Sequence, residues 1–278
     1  MNKLAPEKQH AIISALVEGN SLRATSRMIG VHRNTITNLM VRVAEGCKAL
    51  SNWKMRELPS TSLQLDELWC FVAKKQAQCG IHEDTSRIGD FYTWVALDTE
   101  TKIVPTHLVG KRNGEHAQRF VKDLAWRLKN RVQINTDGLR AYVDAIQQSF
   151  GVEGVDYAIV VKEFESEEIA EHRYSPPKVK KVIKSIGFGA PNMEKATTSH
   201  VERQNLTIRM GMRRFTRLTN GFSKDPDFLR SAVDLHFGHY NFIRKHQTLK
   251  TTPAYAAGVV DREWTIPELV EFSEAARA

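Results

Sequence analysis

Around residue 63 the spacing of apolar residues changes, and no single class of secondary structure accommodates both sides of the break. Before it, residues 7–46 read as three short helices. The first runs from about Glu7 to Glu18 and stops at Gly19. Ser21 can cap the second, Leu22 to Ile29, with Gly30 in the turn, and the third runs from about Arg33 to Glu45 and stops at Gly46. Ala24, Met28, Val31, Ile36 and Met40 fall where a small three-helix core needs apolar groups. A glycine in the tight turn between the second and third helices makes this the helix-turn-helix pattern. Residues 51–62, with Pro59 and three serines, read as a linker.

After the break come strands. They are LQLDELWCFV (63–72), FYTWVALD (91–98) and IVPTHLVG (103–110), the last two flanking a hairpin turn, TETK. An amphipathic helix (116–130), a strand (132–138), a helix (139–150) and a strand (157–164) follow. Three strands, then helix, strand, helix, strand, suit an α/β chain whose mixed sheet is covered by helices, as in the ribonuclease-H-like fold. Residues 163–198 read as an irregular, solvated loop, 199–217 as a basic helix and its exit, and 227–245 as a further amphipathic helix. The expected organisation is a helix-turn-helix domain at 1–50, a linker at 51–62, a catalytic domain at 63–258 and a peripheral tail at 259–278.

Charge narrows the partners. The chain of 278 residues carries 40 Lys and Arg against 32 Asp and Glu. The surplus is concentrated. Residues 1–62 hold nine basic and four acidic side chains, and residues 203–217 hold five arginines and no acid. That distribution favours a polyanion such as double-stranded DNA. The three cysteines, Cys47, Cys70 and Cys79, form no C-x-x-C pair, so a cysteine zinc site is not expected. A sparse, odd count fits a reducing compartment. With no signal-peptide pattern and no membrane-length apolar run, the expected location is the cytoplasm, at the nucleoid.

Three acids stand out for chemistry. Two-metal phosphoryl transfer needs carboxylates from separate chain segments converging on one point, and Mg²⁺ takes oxygen ligands while keeping several waters. Asp66 sits mid-strand in an apolar run, where a carboxylate is costly to bury without a partner or a metal. The plain alternative is a strand-edge acid with a basic partner. Strand alternation puts Asp66 on the face of Leu68 and Cys70 and Glu67 on the face of Leu65 and Trp69, so the two acids should not share one site. Asp137 ends a strand just before Gly138, at the sheet edge where ligand sites often lie, although Asp-Gly is also ordinary turn chemistry. Glu202 lies in SHVERQNLTIRMGMRR, where Ser199-x-x-Glu202 is equally readable as a capping box. Arg209, seven residues on, shares its helix face.

The order of these acids, 71 and 65 residues apart, resembles the DDE transposases of bacterial insertion sequences, most of all the insertion sequence 1 family. LDELWCFV, NTDG-x-x-x-Y and SHVERQNLTIRMGMRRFTRLTNGFSK carry the resemblance, with V-E-R-x-N and F-S-K its most specific parts. The closing HYNFIRKHQTLKTTPAYAAG adds Tyr240-Asn241, Arg244, His246 and Thr252-Pro253. The resemblance spans about residues 63–258 and implies a ribonuclease-H-like core in which Asp66, Asp137 and Glu202 bind two divalent ions, Mg²⁺ or Mn²⁺, with Arg209 as the accompanying basic residue. It implies cleavage at transposon ends followed by strand transfer into target DNA, by a homo-oligomer. Some relatives carry a cysteine zinc-binding N-terminus, and this chain lacks those cysteines. End reading would then fall to Arg33, Asn34, Thr35, Thr37 and Asn38, with Arg203, Arg209, Arg213 and Arg214 holding DNA backbone. The competing reading is a helix-turn-helix transcriptional regulator, or a decayed transposase that binds without cutting. His236, His239 and His246 are expected in packing or phosphate contact rather than on a metal, and Asp98 in a turn.

Overall fold

The computed structural model describes residues 4–164 and 179–276. Three helices open the chain: α1 Pro6–Val17, α2 Leu22–Ile29 and α3 Arg33–Lys54. The Ser21 hydroxyl accepts the Ala24 N–H at the start of α2, and Gly30 closes that helix in the left-handed region at φ 70°. Val31, Ile36 and Met40 are buried as expected, but Met28 is 63% exposed and belongs to the surface. The third helix does not stop at Gly46. It runs two further turns, through Ser51 and Asn52 of the expected linker, because Cys47 and Leu50 continue its buried stripe.

Six strands follow in one mixed sheet: β1 Ser62–Val72, β2 Gly89–Asp98, β3 His107–Gly110, β4 Val132–Thr136, β5 Val155–Phe164 and β6 Val179–Phe188. Their order is β3-β2-β1-β4-β5-β6. The hairpins β1–β2, β2–β3 and β5–β6 are antiparallel, while β1–β4 and β4–β5 are parallel. That is the ribonuclease-H-like sheet, with β1 at its centre. β6 corrects the loop expected over 163–198, since Val179–Phe188 pairs along β5. Both faces of β6 are exposed, so its sequence lacks a buried side to announce it. Residues 165–178 of that expected loop, including Glu165, Glu167 and Glu168 of its acidic stretch, lie outside the described residues.

Helices α4 Gly114–Arg127 and α5 Arg140–Phe150 cover one face of the sheet, burying Phe120, Leu124 and Tyr142 against Leu63, Leu65 and Trp94. Helices α6 Ser199–Gly211 and α7 Pro226–Phe242 cover the other, burying Val201, Ile208 and Phe237 against Leu68, Cys70 and Val95. A third core joins α1 and α3 to α7 and the C-terminal α9 Ile266–Ala275, with Ile36, Leu39, Leu50, Phe242 and Leu269 fully or almost fully buried. The segment from 259 on is therefore not peripheral. Its Leu269 and Val270 complete the core of the N-terminal helices. A short α8, Pro253–Ala256, lies between.

Two glycines permit this docking. A β-carbon on Gly46 would overlap Ser273 of α9, and one on Gly238 would overlap the Cys47 side chain. Gly238→Ala forces α7 off α3, and we expect a loss of about 1–3 kcal/mol, read as a lower urea midpoint with an unchanged slope.

Candidate active site

β1 supplies the floor of the site. Its ladder with β4 pairs Ser62, Leu63 and Gln64 and goes no further, whereas its ladder with β2 continues to Phe71. Asp66 and Glu67 thus lie just past the point where β1 loses its parallel neighbour, and Asp137 lies one residue beyond the end of β4. The alternation of β1 holds, with Leu63 and Leu65 packed under α4 and α5 and Leu68 and Cys70 under α6 and α7. Yet the expectation that Asp66 and Glu67 stay apart is overturned. Asp66, Glu67 and Asp137 each offer a carboxylate oxygen within 4.8 Å of the others. The gap beyond β4 lets side chains from both faces of β1 turn toward it.

Hydrogen bonds hold this group from several sides. Asp66 accepts the Glu67 backbone N–H at 2.9 Å and the Asn205 carboxamide N–H of α6 at 2.7 Å. Asp137 accepts the Leu139 N–H at 2.9 Å. Glu67, whose side chain is only 2% exposed, accepts from Arg112 Nε at 2.9 Å. The second oxygen of Glu67 and the nearby Tyr142 hydroxyl are both buried.

Electrostatics mark the cluster as short of positive charge. Burial, then the neighbouring Glu67 carboxylate, push the Asp66 carboxyl up to about 7; Asp137 and Glu202 add to the rise, and the Glu67 N–H opposes it. Burial also raises Glu67, against the opposing pull of the Tyr142 hydroxyl and then of Arg112. Asp66 and Asp137, converging from separate strands with Glu67 buried beside them, offer oxygen donors of the kind that a hard divalent cation takes.

Glu202 stands beside this trio rather than in it. Both its oxygens receive Lys162 Nζ of β5 at 2.5 Å, and one receives the Thr198 hydroxyl at 2.6 Å. The capping box does not form: Thr198 is the N-cap, and it makes no side-chain cap bond. The start of α6 is satisfied instead by Gln64, whose buried carboxamide oxygen accepts the N–H groups of His200 and Val201 at 2.8 and 3.0 Å.

The basic residues divide. Arg203 and Arg213 are exposed. Arg209 reaches the Phe215 carbonyl at 3.5 Å and lies close enough to Asp66 to feel its charge. Arg214 is folded back onto Ser223 at 2.8 Å. In the N-terminal module Arg33, Asn34, Thr35 and Asn38 are exposed and Thr37 half-buried, on one end of α3. His236 and His239 are core residues, their pKa values lowered to about 3 and about 4 chiefly by burial. Asp98 caps the hairpin turn by accepting from Glu100 and Thr101.

Sequence reading missed Glu67, Arg112, Lys162 and Gln64. Gln64 did leave a signal, being a second polar residue on the Asp66 face of an apolar strand. Arg112, a loop cation, left none.

The fold and these acids define a ribonuclease-H-like protein with an acidic, metal-type site. The DDE domain family, of the insertion sequence 240 transposase type, matches residues 87–209. That stretch of the chain is thus similar to the DDE domain of the insertion-sequence transposases. DDE transposases use divalent metals. The matched stretch contains Asp137 and Glu202, begins after Asp66, and does not bear on the narrower likeness to the insertion sequence 1 family. No curated protein matches the chain. Among solved structures, the Mos1 strand transfer complex is similar at 16% identity over 56% of this chain and 59% of that one, with a TM-score of 0.25. The Mos1 mariner paired-end complex with Mn is similar at 15% identity, over 53% of this chain and 57% of that one, with a TM-score of 0.22. The chain therefore spans less than two thirds of these structures. Among the described residues, no helix is long and apolar enough to cross a membrane.

The raised Asp66 sets a pH dependence. The folded protein keeps this proton at pH values where the unfolded chain, with a pKa near 3.8, has released it. Its contribution to stability is complete below that value and is lost as pH rises toward about 7. In chelator, the stability of the wild type relative to Asp66→Asn should fall across this window, superimposed on the rise that the buried neutral His236 and His239 give to both proteins. An Asp66→Asn protein with the wild-type pH profile would contradict the assignment.

Proposed function

We propose that this chain is a DNA transposase that binds the ends of its own element, cleaves a phosphodiester there and joins the freed 3′ end to target DNA. The observation that carries this reading is the meeting of Asp66 and Asp137, from separate strands, at the point where β1 outruns β4. Two divalent ions, Mg²⁺ or Mn²⁺, would supply activation of the attacking oxygen and charge stabilisation at the leaving oxygen.

Asp66 and Asp137 hold that charge, with the Asn205 amide fixing Asp66 and the Leu139 N–H fixing Asp137. Glu202 completes the set on giving up its ion pair with Lys162. Water is the first nucleophile and the 3′ hydroxyl the second, so no covalent bond between protein and DNA is needed. Arg203, Arg209 and Arg213 follow Glu202 along α6 and its exit and hold backbone near the scissile bond. Arg214 contributes only by leaving Ser223. Arg33, Asn34, Thr35, Thr37 and Asn38 read the element's end from the first turns of α3. Pairing of two ends calls for at least two copies of the chain.

Two experiments test this. A plasmid carrying the element's ends is nicked there with Mg²⁺ or Mn²⁺ and not in EDTA, and Asp137→Ala lowers the rate by orders of magnitude while DNA binding survives. Binding without cleavage by the wild-type oligomer would favour a regulator or a decayed enzyme. Arg33→Ala should relax specificity at one base position, at a cost of about 1–3 kcal/mol per lost base contact. Unchanged specificity in a binding-site selection would remove Arg33 from the readers.

A further inference from the structure

We infer that Arg112 is a phosphate-binding residue of the same site, and that the buried Glu67 is its positioning residue. The inference rests on the transposase reading and adds a group that reading does not use.

Arg112 lies in the three-residue connection between β3 and α4. Both flanking residues are tied down. Lys111 donates to the carbonyls of Ile88 and Asp90, each at 2.8 Å, and Asn113 caps α4 by accepting the His116 N–H at 3.0 Å. The backbone at Arg112 is therefore held from both sides. Its Nε donates to Glu67 at 2.9 Å, and a carboxylate exposed by only 2% requires such a cation to stay ionised. The pairing uses one edge of the guanidinium. Among the described residues neither terminal nitrogen makes a hydrogen bond; one stands 3.6 Å from Asp137, too far for one. The side chain is 39% exposed.

The arrangement is a fixed guanidinium at the lip of an acidic cluster, its terminal nitrogens free of hydrogen bonds among the described residues, one of them in ion-pair range of Asp137, and its side chain partly open to solvent. DNA approaching that cluster brings phosphate against carboxylates, and the repulsion has to be offset on the substrate side as well as at the acids. A guanidinium fork matches two phosphate oxygens. Anchoring by Glu67 means little side-chain freedom is lost when it binds.

The test compares Arg112→Ala, Arg112→Lys and Glu67→Gln with wild type and Asp137→Ala, using full-length protein and duplexes taken from the sequence flanking its reading frame. Cleavage gives KM and kcat, and Mn²⁺ binding is measured by calorimetry without DNA. We expect Arg112→Ala to lower kcat/KM by about tenfold or more, with Mn²⁺ affinity and thermal stability retained. Arg112→Lys recovers part of the loss, and Glu67→Gln follows Arg112→Ala. Should Arg112→Ala unfold, Arg112→Gln keeps much of the stem and takes its place. Wild-type cleavage kinetics in a folded Arg112 variant, with Asp137→Ala inactive, overturns this inference alone. Loss of Mn²⁺ binding in Glu67→Gln overturns it in favour of Glu67 as a metal ligand. Wild-type cleavage by Asp137→Ala would instead bring down the site reading, and this one with it.

Discussion

A single buried carboxamide ties the two halves of the site together. Gln64, fully enclosed in the central strand, accepts the first free N–H groups of α6 through one oxygen. A helix start buried without such an acceptor would leave donors unpaired at a cost of about 1–3 kcal/mol each, so the contact fixes where α6 begins. A little over one turn further along, Asn205 donates to Asp66, two residues beyond Gln64 on the same face of β1. The helix bearing Glu202 is thus pinned to the strand bearing Asp66 at two points. The distance between the acids is set by hydrogen bonds rather than by loop length.

The same economy governs the N-terminal helices. They have no core of their own, because Ile36, Leu39 and Leu50 pack with Phe242 of α7 and Leu269 of α9. α7 also buries Phe237 against the sheet. One end of α3 therefore carries the exposed candidate base-reading residues while its other end is locked, through α7, to the body that holds the acids.

Much of the fold was legible in residue order. The order of strands and helices up to β5, the Ser21 cap and the Gly30 turn rest on local patterns and formed in that order, although the strand expected over 103–110 is confined to His107–Gly110. Three features did not follow local rules. Gly46, a helix stop by propensity, became a contact point with α9 because a missing β-carbon allows close approach. Met28 satisfied the helical spacing yet faces solvent. β6 carries apolar residues on two exposed faces, so its pairing with β5 came from backbone hydrogen bonds that no hydrophobic period reports.

By itself the sequence determined the fold class and the central position of an acid in an apolar strand, since these depend on periodicity, and the intervals to Asp137 and Glu202 gave a resemblance to a known order of acids. The tertiary structure decided how the acids group: Glu67 with Asp66 and Asp137, and Glu202 beside them on Lys162. Strand alternation keeps the Asp66 and Glu67 side chains on opposite faces. Past the end of β4, however, no neighbouring strand stands between them, so their carboxylates approach around the open edge of β1. That end is fixed by pairing between segments some seventy residues apart.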